Sequence, residues 1–482
     1  MTVDPPVPDV SAPGPWTDPA GEVAAHGPEV MAWAVRYLSE VTQHPVLSQV
    51  EPGWVRAQLP EHPPAQSEGW DEILADLDRV IVPGTSHWQA PGWYGYFQAN
   101  SSAPAVLAEA IIATLGTQGM LWRTGPACTE VETLVLDWLA ELLDLPRSFR
   151  SDGAGGGVIQ DSASSSTLVA TLAARDRARR AGARLDDLVA YASADAHSSV
   201  EKGLRVAGLM GDQLHLVAVD ARRAVRSDLL IKAVQADRAA GRVPFMVVAT
   251  VGTTSTHGVD PLRTMGEVAR EHGAWFHVDA AHAGAAALCP EHRWIHDGLD
   301  LADSYVMDPH KWLFTAMDLS ALWVADRQPL VDALSVTPEY LRNTASGSDG
   351  VIDYRDWQVP LGRRFRALKL WAVIRRFGGD GLRDAVRGHI ALAQGLAGRL
   401  AADDRFEVPL PAPLNLVCFA HRAGDEVSEK LLADLNATGR VFLSHTRIEG
   451  RYLLRVAVGQ TSVGPEHLDE LWDLIDRLAP PA

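Results

Sequence analysis

Cysteine is scarce: Cys128, Cys289 and Cys418 are the only three in 482 residues. An odd count at such wide spacing argues against a disulfide framework, and no pair has the close spacing of a metal motif. Long apolar runs are missing as well. No stretch reaches the 18 or so consecutive apolar residues that a membrane helix needs. Cations are outnumbered, 43 lysines and arginines against 61 aspartates and glutamates, which leaves a net charge of −18. That balance argues against nucleic acid or anionic lipid as a partner held by bulk charge. The opening stretch, MTVDPPVPDVSAPGPWTDPAGE, has no basic start and no apolar segment, so it does not read as a secretory signal. The expectation is a cytoplasmic protein with neither a nucleic-acid nor a membrane partner.

What is present fits a globular chain: 47% hydrophobic and 22% charged residues, in a length that suggests two or three domains. Residues 1–22 read as an extended arm. Helical spacing of apolar residues marks EVMAWAVRYLSEV (29–41), AVLAEAIIATLG and CTEVETLVLDWLAELLDL. Residues 50–102, rich in proline, glycine and aromatics, read as loops and short helices. From about 150 to 330 short apolar runs recur: LVAYAS (188–193), LHLVAV (214–219), PFMVVATVG (244–252), AWFHVDA (274–280), SYVMD (304–308) and ALWVAD (321–326). Helical or polar stretches separate most of them, which predicts an α/β fold around a mostly parallel sheet. LGRRFRALKLW reads as a basic helix within 350–372. Beyond about 380 a long amphipathic helix, two strand-like runs (NLVCFA and YLLRVAV) and a last helix suggest a small α+β domain. The basic stretch Arg175–Arg184 reads as a solvated helix face.

In such sheets ligands bind beyond the carboxyl ends of the strands, and four segments with chemical character fall there. GAGGGVIQDSASSSTLVA (153–170) has a glycine run, small hydroxyl residues and a helix start, as a phosphate requires. No lysine follows the glycines, so it is not a P-loop; a serine-capped helix after a plain loop is the alternative. His197, in YASADAHSSVEKG, follows a predicted strand and has either a structural role or the role of a flat ring laid on another. Asp279, in FHVDAAHAGAA, ends an apolar strand, where a carboxylate has to be paired. A protonated ring nitrogen is one partner; a metal held by His277, Asp279 and His282 is another, with no further carboxylate or thiolate nearby. Lys311, in DPHKWLF, ends a fourth strand, and a lysine in a dry pocket is a nucleophile towards carbonyls. A phosphate cradle, a stacking ring, a carboxylate for a pyridinium nitrogen and a Schiff-base lysine together describe pyridoxal 5′-phosphate (PLP).

With these residues in view, the chain resembles the group II PLP-dependent decarboxylases, most closely the aromatic-L-amino-acid decarboxylases. The matching stretches are HWQAPGWYGYF, GPACTEVETLVLDWL, GGGVIQDSAS, AHSSVEKG, HVDAAHAG, DPHKWLF, PEYLRN and DYRDWQVPLGRRFRALKLW. They run from about residue 85 to 375 in the family's order. The resemblance implies the type I, aspartate-aminotransferase-like fold: an N-terminal arm and helices packing on a partner subunit (1–102), a large PLP-binding domain (103–375) and a small C-terminal domain (376–482), assembled as a homodimer. It implies that Lys311 forms the Schiff base, that Asp279 binds the pyridine nitrogen, and that His197 and Ala281 lie against the two ring faces. Ala163, Ser164 and Thr254 are then the phosphate ligands, and His310 lies near the substrate. Tyr340 sits on a mobile loop and donates the proton to Cα. Asp308 stands where the family commonly has asparagine, near the phosphate. It must therefore turn away, be protonated, or be offset by a nearby donor.

The same resemblance makes the chain a decarboxylase of an aromatic L-amino acid, giving an arylalkylamine and carbon dioxide. Tyrosine at 340 resembles true decarboxylases; phenylalanine there resembles the aldehyde synthases, which consume oxygen and release peroxide. A PLP-binding homologue without catalysis is the remaining alternative. Trp88, Trp93, Tyr96 and Phe97 are expected to line the substrate pocket, with Met120 and Trp122 from the partner subunit. Gly362, where related enzymes tend to have serine, leaves room for an indole. Tryptophan is therefore favoured over Dopa, tyrosine and phenylalanine.

Overall fold

The computed structural model describes residues 18–336 and 351–481. Its centre is a seven-stranded sheet in the order β1-β7-β6-β5-β4-β2-β3. The strands are β1 (Gly156–Gln160), β2 (Leu188–Ser193), β3 (Leu214–Val217), β4 (Val243–Thr250), β5 (Trp275–Asp279), β6 (Ser304–Met307) and β7 (Ser320–Val324). β7 runs antiparallel to both of its neighbours, β1 and β6, so the other six strands share one direction.

Successive strand residues feed two different cores, as a period of two requires. Val189, Tyr191, Phe276, Val278, Tyr305 and Met307 enter one apolar cluster, with helices Pro126–Leu142 and Ala367–Ala402. Leu188, Ala190, Ala192, Trp275 and Val306 enter the other, beneath helix Ala163–Arg180. Both faces are covered, so the strands carry the near-continuous apolar runs seen in the sequence.

A four-stranded antiparallel sheet, in the order β10-β11-β9-β8, lies in the C-terminal part. It comprises β8 (Phe406–Glu407), β9 (Leu416–His421), β10 (Ser444–Ile448) and β11 (Arg451–Ala457). Helices Asp425–Ala437 and Pro465–Leu478 close its core.

Two expectations are corrected. The glycine run is not all loop, because Gly156–Gln160 is a fully buried strand. Small residues are required there: a Cβ on Gly155 would lie 1.9 Å from the Ser148 carbonyl, and one on Gly157 would lie 2.9 Å from the Trp323 ring. The basic stretch LGRRFR is not helical either, since the helix begins only at Ala367. Arg363 turns inward instead. Its guanidinium meets Glu132 and donates to Gln358 Oε1 at 2.6 Å. The ring of Tyr354 lies 4.9 Å beneath it. The helix that follows runs to Ala402, with a break at Gly378 (φ 69°, ψ 166°) that only glycine adopts easily.

Candidate active site

The common strand direction brings the chemical residues to one edge of the sheet. Ala163 follows β1, His197 follows β2, Thr254 follows β4, Asp279 ends β5 and Lys311 follows β6. Lys311 is the third residue of a one-turn helix, Pro309–Trp312. Its side chain is 28% exposed, and its amine lies 2.8 Å from Asp308 Oδ2. Asp308 is the buried member, at 1% exposure. Lys311 is thus the cation paired with this carboxylate. His310 is buried beside them. Its Nδ1 accepts from the Leu319 N–H at 3.0 Å, and its Nε2 lies 3.5 Å from the same Asp308 oxygen. Burial holds His310 below the ordinary imidazole range, which favours the neutral ring.

Asp279 is 5% exposed, and its Oδ1 accepts from the Ala281 N–H at 3.1 Å. Burial pushes this carboxyl up, and Lys311 opposes the shift. His197 is held at one edge: Nδ1 accepts from the Ser199 N–H at 3.2 Å and lies 2.9 Å from its hydroxyl. Ala163 opens helix Ala163–Arg180, capped by the Ser162 hydroxyl accepting from Ser165 N–H at 3.3 Å; Ser164 is exposed at this end. Thr254 is exposed, and its carbonyl accepts from Arg455 Nε at 3.0 Å.

The residues expected at the substrate are more scattered. Phe97 lies against the site, stacked on His282 at 3.7 Å between centroids. Trp88 and Trp93 stack on each other at 4.1 Å in a separate cluster with Val41, Val46 and Phe442. Tyr96 is exposed at that cluster's edge. Trp122 donates to Glu130 Oε1 at 2.7 Å and borders a cleft of about 850 Å³ with Asp137, Arg327, Ile352 and Trp357; Lys311 is not on its wall. The Met120 carbonyl accepts from the Arg355 N–H, and Gly362 is exposed beside Gln118. Tyr340 lies outside the described residues. The three side chains of the metal alternative turn to different partners. His277 pairs with Ser304 Oγ at 2.8 Å, and His282 Nε2 lies 3.2 Å from Asn415 Oδ1.

Two features had no local signal in the sequence. Asn100 donates its N–H to the His310 carbonyl at 2.9 Å and its amide to the Lys311 carbonyl, while its Oδ1 accepts from the Thr461 N–H at 2.9 Å. The second is a stack. The Arg455 guanidinium sits 4.7 Å above Phe97, Phe97 lies on His282, and His282 lies on Trp312 at 5.1 Å and 6°. These residues meet only through the tertiary fold.

The donor set fits PLP. The free N–H groups at the start of an 18-residue helix suit a phosphate. Asp279, buried and pushed up, gains from a cationic partner. The Lys311 amine is accessible enough to meet an aldehyde.

The pyridoxal-dependent decarboxylase conserved domain matches residues 52–422, and the chain belongs to that family. It is a PLP-dependent decarboxylase with the type I fold. Tryptophan decarboxylase 2 of Oryza sativa subsp. japonica is 41% identical over 95% of each chain. Phenylacetaldehyde synthase of Arabidopsis thaliana is 42% identical over 95% of this chain and 96% of its own. Among solved structures, Oryza sativa TDC with PLP and tryptamine superposes with a TM-score of 0.94 at 40% identity, covering 95% of this chain and 98% of that one. Among the described residues, no helix is long and apolar enough to cross a membrane.

Proposed function

We propose that this enzyme decarboxylates an aromatic L-amino acid, with tryptophan favoured, to the corresponding arylalkylamine and carbon dioxide. One observation carries the reading: Lys311 and Asp279 stand at adjacent strand ends in a chain whose full-length relatives act, by name, on tryptophan or make phenylacetaldehyde. When bound, PLP supplies an electron sink for the pair left at Cα as carbon dioxide departs. Lys311 holds the aldehyde carbon, and Asp279 keeps a proton at the ring nitrogen. His197 and Ala281 confine the ring between them, and the N–H groups at Ala163 and Ser164, with Thr254, hold the phosphate. His310 is kept neutral beside Lys311 by burial. Tyr340 delivers the proton to Cα.

The assembly is a homodimer in this reading. Helix Ala103–Leu115 exposes Leu107, Ile111 and Leu115 by 52–55% along one stripe, and helix Pro19–Glu40 has no buried residue at all. Both faces need a cover, and a second copy supplies it while bringing Met120, Trp122 and Gly362 towards the neighbouring site. The division at 102 and 375 belongs to the same reading, and the break at Gly378 supports the second boundary. Three free, buried thiols suit a reducing cytoplasm.

The 42% identity to phenylacetaldehyde synthase favours one alternative, oxidative decarboxylation to an aldehyde. The test supplies PLP-loaded protein with tryptophan, Dopa, tyrosine, phenylalanine, histidine and glutamate separately and follows carbon dioxide, amine and peroxide. Carbon dioxide with stoichiometric amine is expected. Peroxide with aldehyde supports the alternative, and silence on all six refutes both.

A further inference from the structure

Lys311 has a partner in the free protein, and that partner is buried more deeply than the lysine. Asp308 Oδ2 lies 2.8 Å from the ammonium, at 1% against 28% exposure. Its second oxygen, Oδ1, is buried without a hydrogen-bond partner among the described residues. A buried carboxylate with one satisfied oxygen depends heavily on the cation that satisfies it. His310, 3.5 Å from the same oxygen, is kept neutral by burial. Asp279, on the adjacent strand, is a second acid whose carboxyl Asp308 helps to push up. The charge of His197, when protonated, acts on Asp279 in the opposite sense.

We propose that Asp308 is the resident counter-ion of Lys311: a positioning residue that holds the lysine nitrogen in an ion pair and in place, and so governs how fast the chain captures its cofactor. This rests on the reading of Lys311 as the cofactor-binding lysine. Capture replaces the aldehyde C=O by C=N. Two hydrogens leave the ammonium with the carbonyl oxygen as water, while the nitrogen keeps one hydrogen and its positive charge. The charge facing Asp308 is thus the same before and after. Between the two, the nitrogen must leave its ion pair with the carboxylate 2.8 Å away before its lone pair can attack carbon. The pair therefore secures the lysine at rest and slows its first reaction.

Apoprotein, as wild type and as Asp308→Asn, is mixed with PLP and, separately, with pyridoxal, which has no phosphate. Visible absorbance gives the rate, and borohydride reduction with peptide mass locates the bond. The variant should capture both aldehydes about tenfold faster at neutral pH, because no ion pair then has to open before the nitrogen can attack. Equal rates, or a slower variant, overturn the proposal. A gain with PLP alone overturns it too, because Asp308 then acts on the phosphate. A bond formed away from Lys311 in both proteins overturns the underlying reading as well. A second measurement needs no cofactor. Lys311→Ala leaves Asp308 without its cation, so adding Asp308→Asn to that variant should raise the apoprotein's melting midpoint. An unchanged midpoint refutes the pairing.

Discussion

Asp279→Asn separates what this carboxylate does for the fold from what it does for the cofactor, because the two effects have opposite signs. Asparagine has the same size, and its carbonyl oxygen can still accept from the Ala281 N–H, now 3.1 Å from Oδ1. Only the charge is lost. In the apoprotein the charge is a burden, since burial raises the carboxyl above its ordinary value of 3.8. A raised carboxyl favours the folded state while it is protonated. That contribution is lost as pH climbs from the ordinary value through the raised one. At neutral pH the variant apoprotein should therefore melt at or above the wild-type temperature, and the gap should close as pH falls towards 4. With cofactor the sign reverses. A charge-assisted hydrogen bond to the protonated ring nitrogen contributes about 1.5–3 kcal/mol, so its loss weakens PLP binding roughly 10- to 150-fold. Thermal melts of apoprotein across pH and a fluorescence titration with PLP read the two halves. A variant that binds PLP as tightly as wild type refutes the assignment of Asp279 to the ring nitrogen. One whose apoprotein is clearly less stable at neutral pH refutes the burial argument.

Lys311→Ala should abolish amine production while leaving a folded protein, checked by product assay and circular dichroism. Tyr340→Phe should move product from amine towards aldehyde with peroxide, and an unchanged ratio removes Tyr340 from the proton transfer. Glu132→Gln should cost about 3–5 kcal/mol in denaturant unfolding, because it leaves the buried Arg363 without its anion.

The central strands were legible because a sheet covered on both faces needs long apolar runs, and those runs match β2, β4, β5 and β6 to within a few residues. β1 was hidden. Its glycines look like a loop in one dimension, and only the close approach of Ser148 and Trp323 makes them necessary. The stretch around Arg363 misled for a related reason. Four charges at helical spacing suggest an exposed helix, but one of them points into the core to meet Glu132, 231 positions earlier. Lys311, Asp279 and His197 stood out because polar groups at the ends of apolar strands are costly without a purpose. Asn100 and Arg455 did not, because each acts on residues more than 200 positions away.

The stack of Arg455, Phe97, His282 and Trp312 sets an order on the protein's birth. Phe97, His282 and Trp312 leave the ribosome early, but the guanidinium that caps them belongs to β11, within the last thirty residues. Asn415, which receives His282, also comes late. The lysine loop therefore cannot take its final packing until β11 has been made, and a chain cut short before β11 carries every cofactor-binding residue proposed here without the means to hold them together.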